Sequence, residues 1–78
     1  MNNLYEVERK KSYRIQAAPD MDQLESIGVI SGSIVEKIRT YGGGGPAYIA
    51  LGTRRIAIGK NIAKEIQVEE VNDGNAGR

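Results

Sequence analysis

Ten glycines punctuate a chain of only 78 residues, and four of them are consecutive within TYGGGGPAYIALGTRRIAIGK, residues 40–60. Turns at that density favour short strands over long helices, because glycine adopts backbone angles that other residues avoid. Phe and Trp are absent, and Tyr5, Tyr13, Tyr41 and Tyr48 are the only aromatics. The core must therefore come from Ile, Val and Leu, of which the β-branched pair suit a pleated, half-buried surface. A mainly-β domain is expected. A chain of this length supports one domain with one small core, burying about 60% of the surface its unfolded form exposes.

Alternation along the chain marks where the strands lie. In SYRIQA, residues 12–17, Tyr13 and Ile15 share one face and Arg14 and Gln16 the other. Pro19 ends that segment. PDMDQLESIG then reads as a short helix, with Asp20 at the N-cap, Gln23 in the capping-box position, Met21 and Leu24 inward, and Gly28 at the C-terminal stop. The run VISGSIVEKIRTY turns at Ser31-Gly32 and continues as a strand, but Glu36 falls between Ile34 and Ile38 while Val35 takes the other side. Simple alternation fails there, and a bulge or a two-sided barrel strand accounts for it. Gly52-Thr53 suits a two-residue type II′ hairpin joining PAYIAL to RRIAIG, with Ile49 and Leu51 sharing a face before it and Ile56 and Ile58 after it. One helical turn capped by Asn61 leads to a last strand with Ile66 and Val68 inward. The domain is expected to span residues 1–71, and residues 72–78 to be a disordered tail.

Composition removes several chemistries. With no Cys and no His there are no disulfides, thiol nucleophiles, imidazole bases or Cys/His zinc patterns. Any metal would have oxygen ligands only. Eleven basic and ten acidic side chains leave a formal charge of +1, a weak general attraction for nucleic acid or anionic lipid. No apolar run approaches the roughly 20 residues of a membrane span, and MNNLYEVERKK lacks the apolar middle of a secretory signal. A cytoplasmic location is expected.

The glycine run does not form a phosphate loop. Aligning Gly59-Lys60 with the end of G-x-x-x-x-G-K-[ST] puts Arg54 where the first glycine belongs and Asn61 where the hydroxyl belongs. A dinucleotide fingerprint fails too, since Pro46-Ala47-Tyr48-Ile49 leads into a strand and not a helix. The run reads as a mobile loop between antiparallel strands that could still touch a partner. Asp20, Asp22 and Glu25 are weak candidates for a hard cation, with complementation of a helix dipole the stronger explanation. The serines fall at turns and element ends, where hydroxyls make caps. No catalytic role and no cofactor are expected. The best interaction candidates are Arg54, Arg55 and Lys60 with Tyr41 and Tyr48, because Arg and Tyr are enriched where proteins meet; a basic strand edge that discourages aggregation explains the charges equally well.

The ordered set LESIGVISGSIVEKI followed by GGGGPAYIALGTRRIAIGKNIAKEIQV resembles the FeoA family of bacterial ferrous-iron uptake accessory proteins. The resemblance rests on Leu24, Ile27-Gly28 and Gly32, then Ile34, Val35 and Ile38, then Pro46 to Leu51 with Gly52, and finally Ala57-Ile58, Ala63 and Ile66-Gln67-Val68, covering about residues 12–69. Many members carry basic residues before the first leucine, where this chain has Asp22-Gln23, and an arginine where it has Gly59. A different charged partner surface is therefore expected. The N-terminal ERKKS also lacks the family's usual glycine. The resemblance implies an SH3-like barrel of about five strands, with a short helix after the first and a helical turn before the last. It also implies a non-enzymatic protein-interaction module working on the FeoB transporter in the cytoplasm. Two alternatives stand beside it. One is a small-barrel nucleic-acid binder using Arg9, Lys10, Lys11, Arg54, Arg55 and Lys60, and the other a transition-metal-binding regulatory domain, as in the C-terminal part of metal-dependent repressors.

Overall fold

The computed structural model describes residues 2–71; the expected tail lies outside the described residues. The elements are β1 (Asn2–Asn3), β2 (Lys11–Ala17), α1 (Asp22–Ser26), β3 (Ile34–Thr40), β4 (Ala47–Leu51), β5 (Arg54–Ile58), α2 (Lys60–Ala63) and β6 (Gln67–Glu70). All strand pairs are antiparallel, in the order β1-β6-β2-β3-β4-β5. The mainly-β class holds, with six strands in place of about five. The extra one is the two-residue β1, which puts α1 after the second strand. Among the described residues no ladder joins β5 to β1, so hydrogen bonding leaves the barrel open.

One face of this curved sheet makes the core. Tyr13, Ile15, Val35, Ile49, Ile58 and Val68 point inward from successive strands, and Leu4, Leu24, Val29, Ala63 and Ile66 close over them. Each large aliphatic buried this way stabilises the fold by about 1.5–3 kcal/mol. The alternation in β2, β4 and β5 follows the expected parity.

Both helix starts differ from expectation. Met21, extended at φ −131°, occupies the N-cap of α1, and its carbonyl accepts from Leu24 and Glu25, so Asp20 makes no cap. Met21 packs against the core, and anchoring it there begins the helix one residue later. Likewise α2 starts at Lys60, after Gly59 at the N-cap position; the Gly59 carbonyl accepts from Ala63 at 2.9 Å, and Asn61 lies inside the turn. The C-terminus of α1 is as expected: Gly28 sits at φ 87°, its N–H bonds Glu25 O, and Val29 N–H bonds Leu24 O at 2.9 Å, the Schellman pair. Gly52 is at φ 64° while Thr53 keeps a negative φ, in agreement with a type II′ turn.

Candidate partner-binding surface

The broken alternation in β3 is a bulge. Lys37 pairs with Ile49 and Arg39 with Tyr48, so two steps along β3 match one along β4. Before the bulge Val35 and Lys37 face the core; after it Arg39 turns outward beside Tyr48 and Thr40 turns inward opposite Ala47. This register shift creates the most distinctive outer patch. The Tyr41 and Tyr48 rings lie 6.1 Å apart at a tilt of 56°, and the Arg39 guanidinium stands 4.9 Å from the Tyr41 ring centre, within cation–π range. Tyr41 remains 43% exposed. On the same face Tyr48 pairs with Ala57 and Ala50 with Arg55, which sets a small side chain opposite Tyr48 and the arginine diagonal to it.

The structure divides the basic residues expected to join this patch. Arg55 belongs to it by register. Arg54 does not: its guanidinium donates to the Ile27 carbonyl at 2.9 Å, satisfying a backbone acceptor at the end of α1. Lys60 is placed against Tyr5, with its ammonium 5.8 Å from that ring's centre. Sequence reasoning missed Arg39; the signal was its place two residues before Tyr41, hidden by the bulge.

The loop at residues 42–45 is pinned at its end. Tyr5 donates from its hydroxyl to the Gly45 carbonyl at 3.0 Å, Tyr41 N–H bonds Pro46 O, and an added Cβ at Gly45 would lie 2.8 Å from Tyr41 Cβ. The loop therefore backs Tyr41 and fixes where its ring leaves the sheet.

A buried lysine ties the N-terminal turn to the sheet. Lys37 is 1% exposed, and its ammonium donates to the carbonyls of Leu4, Tyr5 and Val7 at 2.9, 3.0 and 3.0 Å. Three acceptors match its three N–H groups. Burial lowers its pKa from the ordinary 10.5. Thr40 adds a bond to Tyr5 O at 3.1 Å. Nothing in the sequence reading marked Lys37, because its partners lie about 30 residues away.

Toward the opposite edge of the sheet, a cleft of about 400 Å³ opens among Asn3, Glu6, Glu8, Lys11, Tyr13 and Glu70. Lys11 bridges Glu8 at 3.1 Å and Glu70 at 3.6 Å, and these contacts raise its pKa, the Glu8 hydrogen bond most. Burial, then the Glu70 charge, raises that of Tyr13. Three carboxylates against one ammonium give the cleft an acidic mouth, opposite in sign to the patch on β3–β5. Asp20, Asp22 and Glu25 all lie exposed around α1. Among the described residues no three His, Cys, Asp or Glu side chains gather to hold a metal, and the sequence has no His or Cys, so the donor set does not fit a resident transition metal.

Residues 2–70 match the FeoA domain family. The chain belongs to the FeoA family. That family is associated with ferrous iron transport, and the match extends the expected resemblance back over β1 and the turn that holds Lys37. No curated protein matches the chain by sequence. Similar solved structures include iron(II) transport protein A from Clostridium thermocellum, 24% identical with a TM-score of 0.81, covering 90% of this chain and 46% of that one. An iron uptake regulatory protein, FeoA, is 23% identical with a TM-score of 0.78, covering 90% and 97%. Stenotrophomonas maltophilia FeoA complexed with zinc, a prokaryotic SH3 domain protein, is 22% identical with a TM-score of 0.72, covering 88% and 91%. This FeoA-family chain thus spans just under half the length of the Clostridium protein, and the likenesses carry the SH3-like fold. Among the described residues no helix is long and apolar enough to cross a membrane.

Proposed function

We propose that this FeoA-family chain is a non-catalytic, cytoplasmic accessory module of ferrous iron transport that binds the cytoplasmic part of the FeoB transporter. The contact surface is the outer face of β3–β5, with Tyr41 and Tyr48 as anchors and Arg39 and Arg55 as charged partners. The observation that carries the reading is a pair of tyrosines 6.1 Å apart, Tyr41 exposed and Tyr48 half-buried, with an arginine stacked on the exposed one. Tyr and Arg dominate the energetics of protein interfaces, and a Tyr41 backed by a pinned loop loses little freedom on binding. The Stenotrophomonas relative has been put forward as a bacterial ferrous iron transport activating factor, a role in keeping with an adaptor.

The nucleic-acid reading is weakened by the dispersal of its basic stripe, since Arg54 is engaged at the end of α1, Lys60 at Tyr5, and Lys11 between two glutamates. Titrating the purified transporter domain into this protein is the test. Saturable association that Tyr48→Ala weakens at least about tenfold is expected. No association at high micromolar concentration overturns the proposal.

A further inference from the structure

We infer that the outer edge of β5 is a strand-addition site for an extended, acidic segment of a partner protein. In a two-residue hairpin the pair flanking the turn exchanges its hydrogen bonds, so Leu51 with Arg54, Ile49 with Ile56 and Ala47 with Ile58 are the bonded pairs. Arg55 and Ala57 consequently turn their N–H and C=O groups away from β4. Among the described residues β5 pairs with β4 alone, Arg55 and Ala57 are exposed, and no backbone bond reaches their amides from a turn or loop. The far edge of the sheet is the two-residue β1, too short to act as a template.

Charge and side-chain size select the occupant. A strand laid on β5 places the residues opposite Arg55 and Ala57 on the outer face of the sheet, two positions apart. Opposite Arg55 a carboxylate is favoured. Opposite Ala57 an apolar side chain fits, because the alanine leaves space and Tyr48, its neighbour across β4, supplies an aromatic wall. A second copy of this chain is a poor occupant: pairing about Ile56 makes the two Arg55 side chains diagonal neighbours on one face. The incoming strand is therefore of acidic-x-apolar character, bound by main-chain bonds for affinity and by Arg55 and Tyr48 for selectivity. As a mode of transporter contact this rests on the function proposed above; as a property of the β5 edge it stands alone.

The test is amide exchange and chemical-shift mapping of the full chain with a blocked peptide of threonines carrying one aspartate and one valine two positions apart. Slowed exchange confined to the Arg55 and Ala57 amides is expected, with binding at least about tenfold weaker when lysine replaces the aspartate. Ala57→Pro deletes one outward N–H without touching a β4 bond and should abolish binding. Should that variant misfold, Arg55→Glu serves instead and should reverse the preference toward the lysine peptide. Unchanged Arg55 and Ala57 exchange at saturating peptide, no preference between the peptides, or the same protection arising from self-association without peptide overturns the inference. Transporter binding that needs Tyr48 but survives Ala57→Pro and Arg55→Glu removes strand addition and leaves the proposed function. Peptide binding without transporter association does the reverse.

Discussion

The Lys37 ammonium donates to the carbonyl of Leu4 at 2.9 Å, joining residues 33 apart in the chain. With Tyr5 and Val7 completing its set of acceptors, one charged side chain in the core fixes the turn that leads out of β1. That turn in turn supplies Tyr5, whose hydroxyl holds Gly45 behind Tyr41. The inner lysine and the outer aromatic patch are thus connected through one short segment.

Lys37→Met keeps the length and apolar stem but leaves the Leu4 and Val7 carbonyls without their donor and Tyr5 O with Thr40 alone. A loss of about 2–4 kcal/mol is expected in denaturant unfolding, since unpaired buried acceptors carry their full desolvation cost. Amide exchange around residues 4–7 should rise before the rest of the sheet responds.

The same lysine should titrate early. Between its lowered folded pKa and the ordinary 10.5, the unfolded chain binds more protons than the folded one, so this group makes stability rise with pH. Below that window both states are protonated and its contribution is flat. Tyr13 acts oppositely: raised above 10.0, it holds its proton longer when folded, and its contribution falls as pH climbs past that value. Carbon-13 titration of the lysine side chains should find Lys37 losing its proton ahead of Lys11, which Glu8 and Glu70 hold upward.

Two neighbouring arginines should separate cleanly. Arg54→Ala removes the guanidinium from Ile27 O and should lower stability by about 0.5–1 kcal/mol while sparing transporter association. Arg55→Ala should leave thermal unfolding nearly unchanged and weaken association. Equal effects of both on binding would argue against the division of roles described above.

Within the glycine run, position decides the outcome. Gly42→Ala meets nothing within 4 Å and needs no positive φ, so it should be neutral or stabilise slightly. Gly45→Ala brings Cβ to 2.8 Å from Tyr41 Cβ and must displace that residue. Tyr41 ring chemical shifts and partner affinity should change in the second variant only.

Much of the sheet was legible because its information is local. Tyr13 and Ile15 alternate with Arg14 and Gln16, and Gly28 and Gly52 stand where positive φ is required. The bulge in β3 was visible as a break in parity, but not which residues it would send outward. Helix starts were misread at Asp20 and Asn61 because both helices are single turns whose beginnings follow from packing at Met21 and from the Gly59 conformation. Arg54 and Lys60 looked like companions of the tyrosines only because they are near them in the chain.

By itself the sequence determined a small aliphatic β domain and its turns, since period-two alternation and glycine placement act over a few residues. Only the tertiary structure decided that Lys37 belongs inside and that Arg39, not Arg54 or Lys60, stacks beside the tyrosines. A buried ammonium needs acceptors from a distant segment, and which side chains share a face depends on how neighbouring strands align.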